Sequence, residues 1–328
     1  MTSEALYGGH ERRPTAVFVL GMARSGTSAL TRVISLCGGA LPPGMVGGFV
    51  GNPRGYWEPR KAVHINETIL RRHGSAGFDP SLRLQEAGAL DAGTRSTYVA
   101  RIRAYFTTLP RAPFVVIKHP MIAALWDLWF EAARSAGFNV VAVIAVRHPQ
   151  ESIASFRSVG GKLNAGASPE LAGALWLKYN LLSERQTRGL PRVFVEYSNL
   201  LDDWRREVKR MSAALPVDLD VRDEVAIDDY LELDLRHERH TGKVMDLFGT
   251  DWLSTVYETL AAAARDEPWD ESVLDGVFEA YRATESGFRA AHGDFQRVYK
   301  IHRFAPAMFG RLSSELLAIA HRRKGTWA

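Results

Sequence analysis

A parallel β-sheet covered by helices on both faces, followed by a mainly helical C-terminal part, is the α/β fold class that this sequence predicts. Three observations predict it. Short apolar runs rich in β-branched residues recur along the first two hundred residues, at 16–20, 114–117, 140–146 and 193–195. Continuous runs of this kind are strands buried on both faces, as in parallel sheets. The segments between them carry helical periodicity, and strands alternating with helices give parallel pairing. From about Asp246 to His292 no strand signal remains, and the pattern is helical.

Taken in order, AVFVL at 16–20 reads as the first strand and 21–25 as a turn. Ala29, Leu30, Val33, Ile34 and Cys37 then recur at helical spacing, and Gly38-Gly39 ends that helix. Residues 41–55 form a Gly/Pro-rich loop, and 60–72 a helix. After the strand at 114–117, a helix is expected over about 121–136, with Ile122, Leu125, Trp126, Trp129 and Ala133 on one stripe. VVAVIAV at 140–146 is the strongest strand signal, a helix is expected over 169–188, and 193–195 is the fourth strand. The expected organisation is one unit over 14–328. Residues 14–240 are its α/β core, 241–328 a helical extension, and 1–13 a flexible tail.

Composition narrows the function classes. The 328 residues are 46% hydrophobic and 24% charged, ordinary for a globular protein with a large core. Cys37 is the single cysteine, which excludes an internal disulfide framework and argues against a cysteine-based zinc site. The first residues lack the apolar stretch of a signal peptide, and no apolar run is long enough to span a bilayer, so a cytoplasmic location is expected. A net charge of +4 does not suggest a nucleic-acid binder. From 297 to 328, however, seven Lys/Arg face one acid, so the tail alone carries more positive charge than the whole chain.

The chemistry begins after the first strand, in Gly21-Met22-Ala23-Arg24-Ser25-Gly26-Thr27-Ser28. A strand, a glycine-bounded loop and a helix N-terminus form an anion site, because backbone N–H groups converge and the helix dipole favours negative charge. The spacing of Gly21 and Gly26 is that of a Walker A loop, making the sheet P-loop-NTPase-like, with Ser28 in the Ser/Thr slot. Thr27 stands where that loop has its lysine, and the cation comes three residues earlier as Arg24. This suits an anion with no γ-phosphate and no obligatory metal. The loop resembles the 5′-phosphosulfate loop of sulfotransferases that use 3′-phosphoadenosine 5′-phosphosulfate (PAPS), in the Arg-Ser-Gly-Thr-Ser form of bacterial members. The resemblance implies that Arg24, Ser25, Gly26, Thr27 and Ser28 hold the phosphosulfate, that 3′-phosphoadenosine 5′-phosphate (PAP) is the product, and that no metal is needed.

A second element follows the strand at 140–146: Arg147-His148-Pro149, with Ser155 two helical turns on. An arginine at the carboxyl end of a parallel strand stands where open α/β sheets bind ligands. Guanidinium and hydroxyl at this spacing can grip one phosphate, and the pair resembles the family's 3′-phosphate motif. Tyr197 in Glu196-Tyr197-Ser198-Asn199-Leu200 stands where the family places a tyrosine by the adenine, with Ser198-Asn199 departing from its Glu-Asp pair. Leu235 to His240 is similar to an Arg-His-rich family segment and equally reads as a solvated turn.

Sulfuryl transfer asks for a base, a charge stabiliser and in-line positioning. Arg24 serves the leaving group, and Lys118, ending the second strand, takes the place of the family's lysine near the bridging oxygen. Two residues compete for the base. Glu58, in Gly55-Tyr56-Trp57-Glu58, resembles the catalytic glutamate of bacterial and glycan-modifying relatives, with Tyr56 and Trp57 placed to desolvate it. His119 is the alternative, since cytosolic animal relatives use a histidine just beyond this lysine. Neighbours in an extended segment point to opposite sides, so Lys118 and His119 are not expected to share the pocket, which favours Glu58. His64 and His73 read as surface histidines.

The basic tail over 306–323 can form an amphipathic helix. It is either a packed terminal helix with a solvated end or a peripheral contact with an anionic membrane surface, which would favour lipid-linked acceptors. Arg323-Lys324-Gly325 is too short a match to a family element to be given a role. The acceptor is expected to be a small or lipid-linked molecule with a hydroxyl, held by loops at 41–55 and 78–95. An ATP-dependent kinase is the next reading, weakened by Thr27 in the lysine slot; a nucleotide-binding protein without catalysis would need no base.

Overall fold

The computed structural model describes residues 13–48, 52, 54–162, 167–231 and 242–304. The N-terminal tail, the segment 235–240 and the basic stretch 306–323 fall outside these residues. Residues Met1–Phe278 form one compact unit and Glu279–Ala328 a second, whose described part belongs to a single helix.

Four strands, β1 (Thr15–Leu20), β2 (Phe114–Lys118), β3 (Asn139–Val146) and β4 (Arg192–Glu196), form one sheet in the order β2-β1-β3-β4, all pairs parallel. All of β1 and β2, and all of β3 beyond Asn139, are buried, which explains the unbroken apolar runs. Alternate side chains serve two cores. Val17 and Val19 of β1, with Val116, Val143 and Val195, meet α1 (Thr27–Leu36), α7 (Tyr197–Asp202) and α8 (Trp204–Ala214) through residues such as Leu30, Leu200 and Met211. Phe18 points the other way, edge-on to Phe106, Trp126 and Trp129. These rings come from α3 (Ala92–Phe106) and α4 (Trp126–Ser135). Each fully buried large apolar side chain of this kind contributes about 1.5–3 kcal/mol.

The helices expected at 60–72 and 169–188 are α2 (Arg60–Arg72) and α6 (Pro169–Gln186), and α5 (Pro149–Lys162) starts at Pro149 and carries Ser155. The helix expected over 121–136 is two pieces. Pro120–Leu125 is a 3₁₀ helix, opened by the Ile122 N–H bonding to His119 O at 2.9 Å, and α4 starts only at Trp126. The loop expected at 78–95 is shorter, since it contains a 3₁₀ turn (Arg83–Gln85) and gives way to α3 at Ala92, where Asp91 caps the Thr94 N–H. After α9 (Glu224–Tyr230), α10 (Trp252–Ala264) and α11 (Glu271–Phe304) account for the helical C-terminal part. Among the described residues no helix is long and apolar enough to cross a membrane.

The strand order places the site. The chain goes from β1 to β2 on one side, then returns past β1 to β3 on the other. The crevice beyond the carboxyl ends of β1 and β3 is the topological switch point, where ligands bind in open α/β sheets.

Candidate active site in the switch-point crevice

A cavity of about 210 Å³ opens there, lined by Arg24, Gly26, Thr27, Ser28, Glu58, Lys118, His119, Arg147 and Tyr197 among others. Nine of the eleven candidate residues read from the sequence therefore meet in one place. Ser25 and Ser155 are the two that do not line it.

The loop after β1 turns at Gly21, φ +122°, where a Cβ would come within 2.7 Å of Ala145 O. Only glycine fits so close to a neighbouring strand. Arg24 sits at φ 74°, a left-handed conformation that costs a non-glycine residue roughly 1–2 kcal/mol. Two contacts hold it there: its Nε donates to Ser155 Oγ at 3.0 Å, and its carbonyl accepts from Arg147 Nη1 at 2.9 Å. Ser155 thus supports Arg24 at the crevice's edge. Ser25 is fully buried and shares a 3.3 Å hydrogen bond with Ser152 of α5, which draws its hydroxyl away from the cavity. Gly26, at φ +86°, precedes α1 with no side-chain cap and no acid in the first turn. The N–H groups of that turn lack an intrahelical acceptor, so the helix presents donors and the positive end of its dipole to the crevice.

Lys118 ends β2 in register with Val19, on the α1 face of the sheet. Its Nζ is 2.6 Å from Glu58 Oε1 and donates to Tyr56 O at 3.1 Å. The pair is deeply placed, with side chains 3% and 15% exposed. Burial pushes the Lys118 ammonium below its ordinary range; Glu58 opposes that shift and Arg24 adds to it. Tyr56 contributes its backbone carbonyl here, which also accepts from Ser28 Oγ at 3.1 Å. The Trp57 indole donates to Arg54 O and Tyr230 OH, and the Arg32 guanidinium lies over its ring. Glu58 itself meets the Lys118 ammonium.

His119 follows in extended backbone, φ −161°, and takes the opposite face from Lys118, as alternation requires. The consequence drawn from alternation does not hold. The strand ends here, both faces border the crevice, and both residues line the cavity. His119 Nδ1 lies 2.7 Å from Asn66 Nδ2. Burial lowers its pKa to about 4, with Glu58 opposing and Lys118 reinforcing the shift.

Arg147 lines the far wall. Its Nε donates to Glu151 at 2.8 Å, and its guanidinium lies 4.8 Å from the Tyr197 ring centroid. Tyr197 is 8% exposed and packs so close to Gly26 that a Cβ there would fall 2.3 Å from the ring. Burial raises the Tyr197 pKa, and Arg147 opposes the rise. Of the histidines expected at the surface, His64 is exposed, but His73 is half-buried with Nε2 3.1 Å from Tyr98 OH. Sequence reasoning missed Asn66. Its signal was a polar residue inside the apolar stripe Ala62, Ile65, Ile69, Leu70.

No known family's sequence profile matches the chain, and no curated protein is similar to it. Among the solved structures it is similar to are two sulfotransferase domains. One is the sulfotransferase domain from the Synechococcus PCC 7002 olefin synthase, at 20% identity and a TM-score of 0.43, covering 77% of this chain and 96% of that one. Another is the sulfotransferase domain from the curacin biosynthetic pathway, at 18% identity and a TM-score of 0.40, covering 81% and 97%. A likeness at this level carries no argument about function, which rests on the residues of the crevice.

Proposed function

We propose that the chain is a sulfotransferase that moves a sulfuryl group from PAPS to a hydroxyl of a small or lipid-linked acceptor. The observation that carries the reading is the pairing of an uncapped, lysine-free phosphate loop with a buried Lys118–Glu58 ion pair in one crevice. The chemistry of these groups fits the co-substrate. The first turn of α1 and Arg24 offer donors to a phosphosulfate, Arg147 offers a guanidinium to a 3′-phosphate, and Tyr197 forms a wall beside it.

In this reading Glu58 takes the acceptor's proton as the hydroxyl oxygen attacks sulfur. The bond from sulfur to the 5′-phosphate oxygen breaks, and its electron pair stays on that oxygen, leaving PAP. Lys118 and Arg24 stabilise the charge that grows there. Glu58 and Lys118 stand 2.6 Å apart, and in this reading the first serves the attacking oxygen and the second the leaving oxygen on the other side of the sulfur. Arg147 already bonds Glu151, so a phosphate shares or displaces that carboxylate.

Calorimetric titration tests the reading. PAP is expected to bind far better than ATP or AMP and without Mg²⁺, whereas tight Mg²⁺-dependent ATP binding with indifference to PAP would sink it. Arg147→Ala is expected to erase the preference for the 3′-phosphate. A charge-assisted contact of about 1.5–3 kcal/mol corresponds to at least a roughly tenfold loss.

A further inference from the structure

Three buried side chains behind the crevice form a hydrogen-bonded series whose direction is fixed by their chemistry. The Trp129 indole N–H can only donate, and it donates to Asn66 Oδ1 at 2.7 Å. That identifies the oxygen end of the amide. The nitrogen end, Nδ2, faces His119 Nδ1 at 2.7 Å. An amide nitrogen can only donate, so Nδ1 must accept. An imidazole whose Nδ1 accepts is neutral unless a second proton is added there, and its one proton sits on Nε2. Adding that proton would set two N–H groups against each other. Trp129 and Asn66 are fully buried and His119 is 2% exposed, so no solvent relieves such a mismatch. The lowered pKa of His119 agrees, with Glu58 and Lys118 acting on it in opposite senses.

With Nδ1 occupied, the edge His119 has left for the cavity it lines is Nε2–H. We infer that Trp129 and Asn66 lock His119 in its Nε2–H tautomer, so that it serves the crevice as a fixed hydrogen-bond donor to a sulfuryl oxygen of the bound nucleotide and not as the base. The identity of that oxygen rests on the sulfuryl-transfer reading; the tautomer does not. His119 keeps its proton throughout, since the acceptor's proton passes to Glu58 and the broken bond's electrons to the phosphate. Asn66 is a positioning residue, acting on the nucleotide only through the ring it orients.

Nitrogen NMR of the full chain carrying ¹⁵N-histidine tests the lock, with His119 identified by the signals lost in His119→Gln. At neutral pH a pyridine-type Nδ1 and a pyrrole-type Nε2 are expected, with and without PAP. An imidazolium or an Nδ1–H ring overturns the lock. Asn66→Asp still accepts from Trp129 but sets an acceptor against Nδ1, so the proton is expected to move there. Titration then reads the role. Because PAPS carries the sulfuryl group and PAP does not, Asn66→Asp is expected to weaken PAPS about tenfold and PAP less than about twofold. Equal losses for both, or none for PAPS once the tautomer has switched, refute the donor role. Should Asn66→Asp fail to fold, Trp129→Phe frees the amide to flip. A mixture of tautomers is expected, and a pure Nε2–H spectrum in that variant overturns the lock. If the unsubstituted chain binds neither nucleotide, the sulfuryl reading falls and the donor role with it, while the spectrum alone decides the tautomer.

Discussion

Glu58 and Lys118 come from different elements, the loop before α2 and the end of β2, yet lie 2.6 Å apart. Each was legible in the sequence because it belongs to a short segment with a recognisable position: a carboxylate after the first helix, a lysine closing a buried strand. Their contact was not legible, because nothing in either segment says that the loop folds back over β2. The backbone does say so: an isolated bridge joins Ala40 to Val115 of β2, with Val116 N–H bonding Ala40 O at 2.9 Å, and a second bridge within the loop joins Met45 to Pro59, next to Glu58. Asn66 stayed hidden for another reason. A polar residue on an apolar stripe announces a buried partner but not which one. Under the proposed chemistry, Glu58→Gln keeps the shape and removes the basicity. Turnover in a sulfuryl-transfer assay is expected to fall about 10²–10⁴-fold with PAP affinity nearly unchanged, since the carboxylate faces the acceptor. An active Glu58→Gln enzyme would return the search for the base to other groups of the crevice. Lys118→Ala is expected to slow transfer through the leaving oxygen it no longer stabilises.

At the scale of elements, the two ends of the sheet do different work. The carboxyl ends carry the loop, the ion pair and Arg147. At the opposite end, Arg192 opens β4, and there charge is spent on cohesion. Glu184 of α6 is almost fully buried and accepts from Arg188 at 2.8 and 2.9 Å and from Arg192 at 3.2 Å. Arg192 and Arg188 reach on to Glu271 and Asp275 at the start of α11. Glu184→Ala leaves two arginines without their shared carboxylate, and because Glu271 and Asp275 still meet them the loss stays below the about 3–5 kcal/mol of a fully buried pair left uncompensated. A lower denaturant midpoint is expected, with PAP affinity in the folded protein unchanged; an unchanged midpoint would show that water replaces the carboxylate freely. Element existence was mostly legible, because β1 and β3 are buried on both faces and so read as unbroken apolar runs. The split at Leu125 was not. The stripe from Ile122 to Ala133 satisfies helical spacing through both pieces, and the 3₁₀ stretch follows from how Pro120 leaves the strand.

For the whole molecule, strand order is the feature least available from sequence, since β2, β1 and β3 are all short apolar runs and their neighbours are chosen by packing. That order is what gathers Arg24, Lys118 and Arg147 into one crevice, and gathering them has a consequence for stability. His119 must be buried neutral for the crevice to form, at a pKa of about 4 against an ordinary value of 6.5. Between these values the unfolded chain binds a proton at this position and the folded chain does not. Stability therefore rises with pH across that window. The contribution is whole above pH 6.5 and is lost as pH falls toward 4, amounting to about 3 kcal/mol. Other groups also titrate there, so the comparison that isolates the effect is with His119→Asn, which cannot be protonated in this range. Denaturant unfolding at several pH values is expected to show the gap between the two proteins changing by about 3 kcal/mol between pH 7 and pH 4, with His119→Asn the flatter. Parallel curves would mean that His119 takes up its proton in the folded crevice as readily as in the unfolded chain, and that the hydrogen bond from Asn66 does not hold it neutral.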